Sequence, residues 1–362
     1  MVGLAVFAAA WISDDALVTF RTVENVVSGE GFRWNPADRT QTATHPLWVL
    51  VLAAVRLGTG ELYYTTIGLS LALTMAAVAL LARAAASRIA AVAAGLGALA
   101  SISFVEFGTC GLENALVYAL VAAFAHTWFA APQGERRLRR LGVLGALLAL
   151  GRQDLVLLIL PCLLAALRGL RLQRAARCLA PGAMLVAAWY AFAWLYFGTV
   201  VPTPGYSKVL ALDLPWSAML QQGLWYLFDL VCRDPASAIT LVVAMLVGGF
   251  TRQVRFAAPA IGIALQVLYT LRVGGDFMSG RFFTAALVLG LSCVAQASSP
   301  TTVSYQWYGP GGLLVGETTS RLRVFNPSLT DSGIYYCEVR KAGSPRFATL
   351  AALGYAVLAW VP

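Results

Sequence analysis

The sequence predicts a mainly α-helical, multi-pass membrane protein with a small all-β tail. Hydrophobic residues make up 59% of the 362-residue chain and charged residues only 12%. A typical soluble protein carries about 25% charged residues. The apolar residues occur in runs of helical length, whereas a two-residue alternation typical of strands begins after residue 297. These observations exclude a cytosolic enzyme, a disordered chain and a coiled coil.

The N-terminal segments are short, and longer apolar segments follow them. Met1–Trp11 falls below the roughly 20 residues that cross a bilayer. It predicts either a truncated first helix, which we favour, or a signal-like segment without a basic n-region. Ile12–His45 is a polar connection and Pro46–Leu57 a short apolar stretch. Some later spans are also short, which is typical of broken or re-entrant helices around an enclosed cavity. The predicted spans are Leu62–Leu81, Ile89–Val105, Ala115–Ala131, Gly142–Gly151, Leu155–Leu167, Leu179–Phe197, Ser237–Phe250, Ala257–Leu271 and Phe282–Ala297.

The charge pattern predicts the orientation of these spans. The net charge of +9 comes from arginines in short runs between apolar segments, such as Arg136–Arg140. Cytoplasmic loops show this pattern, whereas a nucleic-acid binder gathers its basic residues on one soluble face. We therefore expect a lipid bilayer and no nucleic acid as partners. The remaining connections then converge on the outer side, and ionisable residues at membrane depth mark functional sites. They carry Asp14, Asp15, Glu113, Arg152, Asp154, Lys208, Asp276 and Arg281.

Several motifs of these connections resemble one known family. In chain order they are Ser13-Asp14-Asp15, Gly111-Leu112-Glu113, Arg152-Gln153-Asp154, Pro202–Lys208 and Gly274–Phe282. Together they resemble the bacterial GT-C glycosyltransferases, in particular the arabinofuranosyltransferase-like and mannosyltransferase-like membrane proteins. The resemblance covers roughly residues 10–297. In the first outer loop the matching positions are Asp14, Asp15, Arg21, Asn25, Gly29, Gly31, Asn35, Pro36, Pro46, Leu47 and Trp48.

The resemblance implies a reaction at the outer face of a bacterial inner membrane. A sugar would pass, with inversion, from a polyprenyl-phosphate-linked donor to a cell-envelope glycan or protein acceptor. Asp14 is the predicted general base, and Asp15 would orient a neighbour, assist a divalent cation or cap the next helix. No cofactor is assigned. Arg152, Lys208 and Arg281 would hold the donor phosphate, unless they snorkel or pair with Asp154 or Asp276. The predicted substrate-binding residues are Glu113, Asp154, Tyr206, Asp276, His45 and Trp48.

The residues after 297 follow a different pattern. Ser304–Tyr308 alternates around Trp307, and Ser320–Asn326 alternates again. The segment Asp331–Cys337 reads Asp-Ser-Gly-Ile-Tyr-Tyr-Cys. This resembles the immunoglobulin-like fold, with a tryptophan on strand C, a cysteine on strand F and a tyrosine corner between them.

This second resemblance implies a domain division at residue 297. The membrane body would occupy residues 1–297, an immunoglobulin-like domain 298–346 and an apolar tail 347–362. Strand B would begin near residue 287, and Cys293 would form a disulfide with Cys337. However, Phe282–Ala297 cannot be both a membrane span and strand B, so the side on which the tail lies stays open.

Two other functional classes remain as alternatives. A lipid or polysaccharide transporter would place charges at the midplane between pseudo-symmetric halves, and neither is visible here. A non-catalytic envelope-binding protein would use the immunoglobulin-like tail and keep the membrane body as its anchor. Loss of activity with an intact fold would favour the second alternative.

Overall fold

The computed structural model describes residues 1–205, 214–251, 253–298, 303–314 and 335–341. Within these ranges the chain is mainly helical, which confirms the predicted class of the body. The chain divides into two compact units, Met1–Ser298 and Ser299–Pro362.

The first unit is built of α-helices joined by short connections. A 3-10 turn, Arg281–Phe283, leads into the last helix. The helices are α1 (Val2–Ala8), α2 (Asp14–Val27), α3 (Pro46–Thr59), α4 (Tyr63–Ala84), α5 (Arg88–Ala100), α6 (Ile102–Glu106), α7 (Asn114–Ala130), α8 (Glu135–Gly151), α9 (Leu155–Ala166), α10 (Leu172–Phe197), the single turn α11 (Thr203–Gly205), α12 (Trp216–Arg233), α13 (Pro235–Thr251), α14 (Val254–Val273) and α15 (Thr284–Ala297).

Among the described helices, α4, α10 and α14 are each long and apolar enough to cross a membrane. Helices α12 and α13 are long and apolar enough only when they are taken together, and the chain bends by 108° between them. The predicted run Ile89–Val105 is also interrupted, because Ser101 ends α5 and caps α6. Several apolar helices are shorter, including α7 and α9. Broken and short helices were both expected from the lengths of the apolar runs.

Helices α7 and α15 form the centre of the unit. Both are buried around most of their circumference, which is typical of a helix enclosed by other helices. They pack on each other, and α4 and α8 contact α7 while α5 and α13 contact α15. Phe104 and Tyr118 stack within this core, with ring centroids 4.6 Å apart.

Helices α7, α8, α9 and α14 run between two polar ends of the unit. The Glu113 end holds the start of α7, the end of α8 at Arg152 and the start of α9. The Arg137 end holds the other termini, where the indole N–H of Trp128 donates to the carbonyl of Arg255 at 2.8 Å. A helix of 17 residues, the length of α7, is about 25 Å long. The two ends are therefore separated by nearly the thickness of a bilayer core.

A buried carboxylate joins the two helix breaks. Asp234, between α12 and α13, accepts hydrogen bonds from the hydroxyls of Ser101 and Ser237, each at 2.8 Å. It also accepts the backbone N–H of Ser103 at 3.1 Å, in the first turn of α6. Because Asp234 is 2% exposed, these bonds replace the solvation that burial removes.

The predicted polar connection Ile12–His45 contains helix α2. Ser13 is its N-cap, and its hydroxyl accepts the backbone N–H of Ala16 at 3.2 Å. Phe20 and Val23 lie on the buried side of the helix, four and seven residues after Ala16. The cap signal and the three-to-four spacing of apolar residues are both visible in the sequence.

The described strands of the second unit form one antiparallel sheet in the order β2-β1-β3. They are β1 (Val303–Gly309), β2 (Gly312–Leu314) and β3 (Tyr336–Lys341). Trp307 pairs with Leu314 on one side and Cys337 on the other. The predicted strand 320–326 and the apolar tail 347–362 lie outside the described residues. The immunoglobulin-like fold stays a prediction.

The structure corrects the predicted strand B and its disulfide. Cys293 lies within helix α15, where its thiol is buried and free. The apolar run that contains Cys293 forms a helix that is buried around most of its circumference, so it does not supply strand B. The disulfide with Cys337 was predicted for a Cys293 on that strand, and the helix removes this basis for it.

Candidate active site

The connection between α6 and α7 is held between α2 and α3. Its Cys110 carbonyl accepts the backbone N–H of Ser13 at 2.9 Å. The Gly111 carbonyl accepts the indole N–H of Trp48 at 2.9 Å. Gly111 has a φ of +84°, and a Cβ there would lie 2.8 Å from that of Ala16. These contacts fix the position of the chain that leads to Glu113. The short distance to Ala16 explains why residue 111 is a glycine.

Glu113 is the centre of a buried charge cluster at the Glu113 end. Its carboxylate is 1% exposed and accepts two hydrogen bonds from Nη2 of Arg281, at 3.0 and 3.3 Å. Nε of Arg152 lies 3.9 Å from Oε1, and Nδ1 of His45 lies 3.4 Å from Oε2. Glu113 also stands at the N-terminus of α7, where the helix dipole favours a negative charge.

Each arginine of the cluster has a second acidic partner. Nη1 of Arg281 lies 3.2 Å from Asp276, while Nη2 and Nε of Arg152 bond to the two oxygens of Asp154 at 2.6 and 3.1 Å. These are the pairs that the sequence left open as the alternative to phosphate binding. Asp154 also accepts a hydrogen bond from Nε2 of Gln266 at 2.7 Å.

The sequence missed three uncharged members of the cluster. Oδ1 of Asn114 accepts from Nε of Arg281 at 3.3 Å, and Oγ1 of Thr19 lies 2.9 Å from Nε2 of His45. Gln266 is the third. A buried amide inside an apolar helix such as α14 needs a partner, so Gln266 was detectable, whereas Asn114 and Thr19 carry no comparable signal.

Burial and charge shift the pKa values of this cluster in a consistent way. Burial would raise the pKa of Glu113, but the charges of Arg281 and Arg152, together with that of His45 when its ring is protonated, lower it to about 2. Burial lowers the pKa of His45, against the attraction of Glu113. At neutral pH the cluster therefore contains an ionised Glu113 and a neutral His45.

Acid should destabilise the protein through His45 first. Because the folded state lowers the pKa of His45 below its ordinary 6.5, its contribution to stability is present above pH 6.5 and is lost below it. Glu113 follows between its ordinary pKa of 4.5 and about 2. The melting temperature in detergent should fall as pH drops below 6.5, and His45→Gln should remove the first part of that fall. His126→Gln is the matched control, since the chain has two histidines. An equal fall in wild type and His45→Gln would contradict the assignment.

The loop after α14 presents Asp276 and Arg281 to the cluster. Tyr226 of α12 donates its hydroxyl to the Met278 carbonyl at 2.9 Å and accepts the Phe282 N–H at 3.1 Å. Gly275 has a φ of +77°, and a Cβ there would lie 2.4 Å from the Tyr226 ring. Glycine is therefore required where this loop crosses Tyr226.

Arg152 retains a donor that the cluster does not use. Within the described residues, its buried Nη1 has no hydrogen-bond partner. A buried donor without a partner costs about 1–3 kcal/mol. The guanidinium carbon lies 4.9 Å from the Phe282 ring centroid. Arg152 is therefore oriented by its contacts and keeps one donor that no acceptor in the described chain uses.

Asp14 and Asp15 begin α2 beside this cluster, and their side chains diverge. Asp14 is exposed, and its Oδ1 accepts the backbone N–H of Asp15 at 2.9 Å. Asp15 is half-buried and its charge acts on His45. It lies one helical turn before Thr19, which bonds to His45. In the described chain neither aspartate forms an ion pair.

The other predicted site residues have different positions. Trp48 is fully buried with its N–H bonded to Gly111, so it positions a loop and has no surface for a substrate. The positions that matched the family's first outer loop include Arg21, Asn25 and Asn35. They form hydrogen bonds within the protein, for example from Arg21 to Asn35 at 3.1 Å. Tyr206 and Lys208 lie outside the described residues. Among the residues that are described, no group of three or more His, Cys, Asp or Glu is placed to hold a metal ion.

Two known proteins are similar to this chain. One is a terminal β-(1→2)-arabinofuranosyltransferase from Mycobacterium tuberculosis, 27% identical over 321 residues, covering 76% of the chain and 51% of the relative. The other has the same name and comes from Corynebacterium glutamicum, with 28% identity over 345 residues, 76% of the chain and 46% of the relative. The chain thus spans about half the length of the curated relatives it matches.

No protein-family model matches the chain, and no solved structure matches it. The two relatives are glycosyltransferases by name, in agreement with the resemblance that the outer-loop motifs carry. The several apolar helices of the structure support a multi-pass membrane protein, and the chain is similar to two proteins that are named as glycosyltransferases.

Proposed function

We propose that this protein transfers a sugar from a polyprenyl-phosphate-linked donor to a cell-envelope glycan at the outer face of a bacterial inner membrane. The observation that carries the proposal is the Glu113 cluster together with Asp14 and Asp15, which form no ion pair within the described residues. The relatives' name supports arabinofuranose as the sugar. Basic runs at the Arg137 end favour an outward orientation of the Glu113 end.

The donor phosphate would bind beside Arg152. Its unpartnered Nη1 can donate a charge-assisted hydrogen bond to a phosphate oxygen. Lys208 would supply a second positive charge. Arg281 is different, because Glu113, Asp276 and Asn114 already accept from its three nitrogens. We therefore assign Arg281 a positioning role and keep Arg152 and Lys208 as the phosphate ligands.

The general base would be an aspartate at the start of α2. The acids Glu113, Asp154 and Asp276 are each engaged by an arginine, and Glu113 in addition has a pKa of about 2, which makes it a weak base. The sequence favoured Asp14. The geometry favours Asp15, because it is half-buried and shares a face of α2 with Thr19, which bonds to His45. Its carboxylate would take the proton of the acceptor hydroxyl, which then attacks the anomeric carbon as the lipid phosphate leaves.

The proposal is tested by the choice of donor. The purified chain in nanodiscs should transfer arabinofuranose from a polyprenyl-phosphate-linked donor, with inversion at the anomeric carbon in the product's NMR spectrum, and none from a nucleotide-linked donor. Arg152→Gln should raise the donor KM by roughly tenfold or more, the loss of a hydrogen bond to a charged group. Arg56→Gln, which removes an arginine from a pair with Glu24, is the matched control.

The two alternatives give different results in the same assay. Donor binding without transfer by the wild-type chain would favour a binding protein or a transporter and would overturn the enzymatic proposal. Transfer from the nucleotide-linked donor would overturn the assignment of a lipid-phosphate leaving group.

A further inference from the structure

A second polar site lies at the Arg137 end, across the helices from the Glu113 cluster. A cavity of about 430 Å³ opens there between the ends of α7 and α9 and the starts of α8 and α14. We call it the arginine cavity. Its polar and aromatic lining includes Trp128, Phe129, Gln133, Arg137, Arg168 and Arg255.

The charge of the arginine cavity is unbalanced. Three arginines line it, and among its described lining residues there is no Asp or Glu. Oε1 of the neighbouring Glu135 lies 3.8 Å from Nη1 of Arg174. This contrasts with the Glu113 cluster, where every described arginine has a carboxylate partner.

Arg137 is held in place with donor capacity to spare. Its side chain is buried, with the guanidinium carbon 4.3 Å from the Trp128 ring centroid and Nη2 donating to the Trp128 carbonyl at 2.8 Å. In the part of the chain that the structure describes, its buried Nε has no hydrogen-bond partner. A buried cation without a counterion is costly, and a bound anion would remove that cost.

Two further features add to the attraction for an anion. Arg255 is oriented by Nη2, which bonds to the Phe129 carbonyl at 3.4 Å and to Gln296. The N-terminus of α8 has Gly134 as its N-cap and no side-chain cap among the described residues, and Glu135 stands in its first turn. The helix dipole there favours negative charge. Arg168 is exposed on the turn after α9 and is the third arginine that lines the cavity.

We propose that the arginine cavity binds a phosphate group, separately from the donor site at the Glu113 end. The cavity lies about one bilayer core from that site, where helices of a membrane protein meet the headgroups. Charge-assisted bonds from Arg137, Arg168 and Arg255 would hold the phosphate, with Trp128 and Phe129 against the apolar part of the ligand. The phosphate belongs either to an anionic phospholipid headgroup or to a small soluble molecule.

Native mass spectrometry of the full chain tests this site. The measured quantity is the number of phosphatidylglycerol molecules that stay bound to each protein after its release from mixed micelles with phosphatidylcholine. This number should fall roughly five- to tenfold in Arg255→Gln and in Arg168→Gln. Arg168 is exposed, so its substitution should not disturb folding. Arg139→Gln removes the same charge from an exposed position of α8 outside the cavity and should change retention less than twofold.

A second arm uses inorganic phosphate and identifies the source. Phosphate-dependent stabilisation that Arg255→Gln abolishes would show a site for a soluble phosphate, whereas retention of phosphatidylglycerol alone would show a headgroup site. Both results support the proposal. Absence of both, or equal losses in Arg139→Gln and Arg255→Gln, would overturn it, because diffuse surface charge would then explain any binding.

Discussion

Replacing Asp15 by Asn should lower the rate of sugar transfer by roughly 10²- to 10⁴-fold, the contribution of a positioned general base. An acceptor hydroxyl is a poor nucleophile at neutral pH, and Asn cannot take its proton. Asp15 lies one helical turn before Thr19, which bonds to His45, and among the described residues it forms no ion pair. The measurement is kcat with a polyprenyl-phosphate-linked sugar as donor.

Asp14→Asn is the matched control for this experiment. It makes the same charge change one residue away, and Asp14 is the more exposed of the two. Asn is a good residue at helix N-termini, so neither variant should lose much stability. Loss of activity in Asp14→Asn alone would restore the base that the sequence favoured. Near-full rates in both variants would exclude the start of α2 as the source of the base.

Replacing Glu113 by Gln should destabilise the protein by about 3–5 kcal/mol, as expected when one partner of a buried ion pair is removed. The neutral amide would leave Arg281 and Arg152 close together without the carboxylate between them. The free energy of unfolding in detergent is the quantity to measure. Adding Arg281→Gln to Glu113→Gln should recover part of the loss, because the second change removes one of the two guanidinium charges that Glu113 no longer separates.

Glu24→Gln is the control for the effect of a lost carboxylate. Glu24 pairs with Arg56 at 2.7 Å, but the Glu24 side chain is 46% exposed. Water therefore screens the pair, and its loss should cost about 1 kcal/mol or less. Similar losses in Glu24→Gln and Glu113→Gln would show that Glu113 is not the centre of the cluster.

The sequence predicted the body of this protein well because hydropathy reports directly on helices that avoid water. The predicted span Ala115–Ala131 differs from α7, Asn114–Ala130, by one residue at each end. Charged residues in an apolar chain are equally informative. Glu113, Arg152 and Arg281 come from separate connections, and the structure brings them into one cluster.

Roles within the cluster could not be read from the sequence. Charge alone does not show that Arg281 is saturated while Arg152 keeps a free donor, because that difference depends on which carboxylate each guanidinium reaches. The choice between Asp14 and Asp15 likewise depends on the rotation of α2 about its axis. Cys293 is a clearer failure, since its apolar surroundings suit a strand and a buried helix equally.

The carboxylate of Asp234 makes two interruptions of the chain depend on each other. One oxygen accepts from both Ser101, where α5 ends, and Ser103 at the start of α6, while the other accepts the N–H of Ser237 in the first turn of α13. The straight helices of a membrane-inserted chain can form separately, but these two bends share one group, the carboxylate of Asp234. The contacts join residues more than a hundred positions apart. The buried hydrogen bonds of the α5–α6 corner are therefore complete only once the chain has been synthesised through Asp234 and has packed against it.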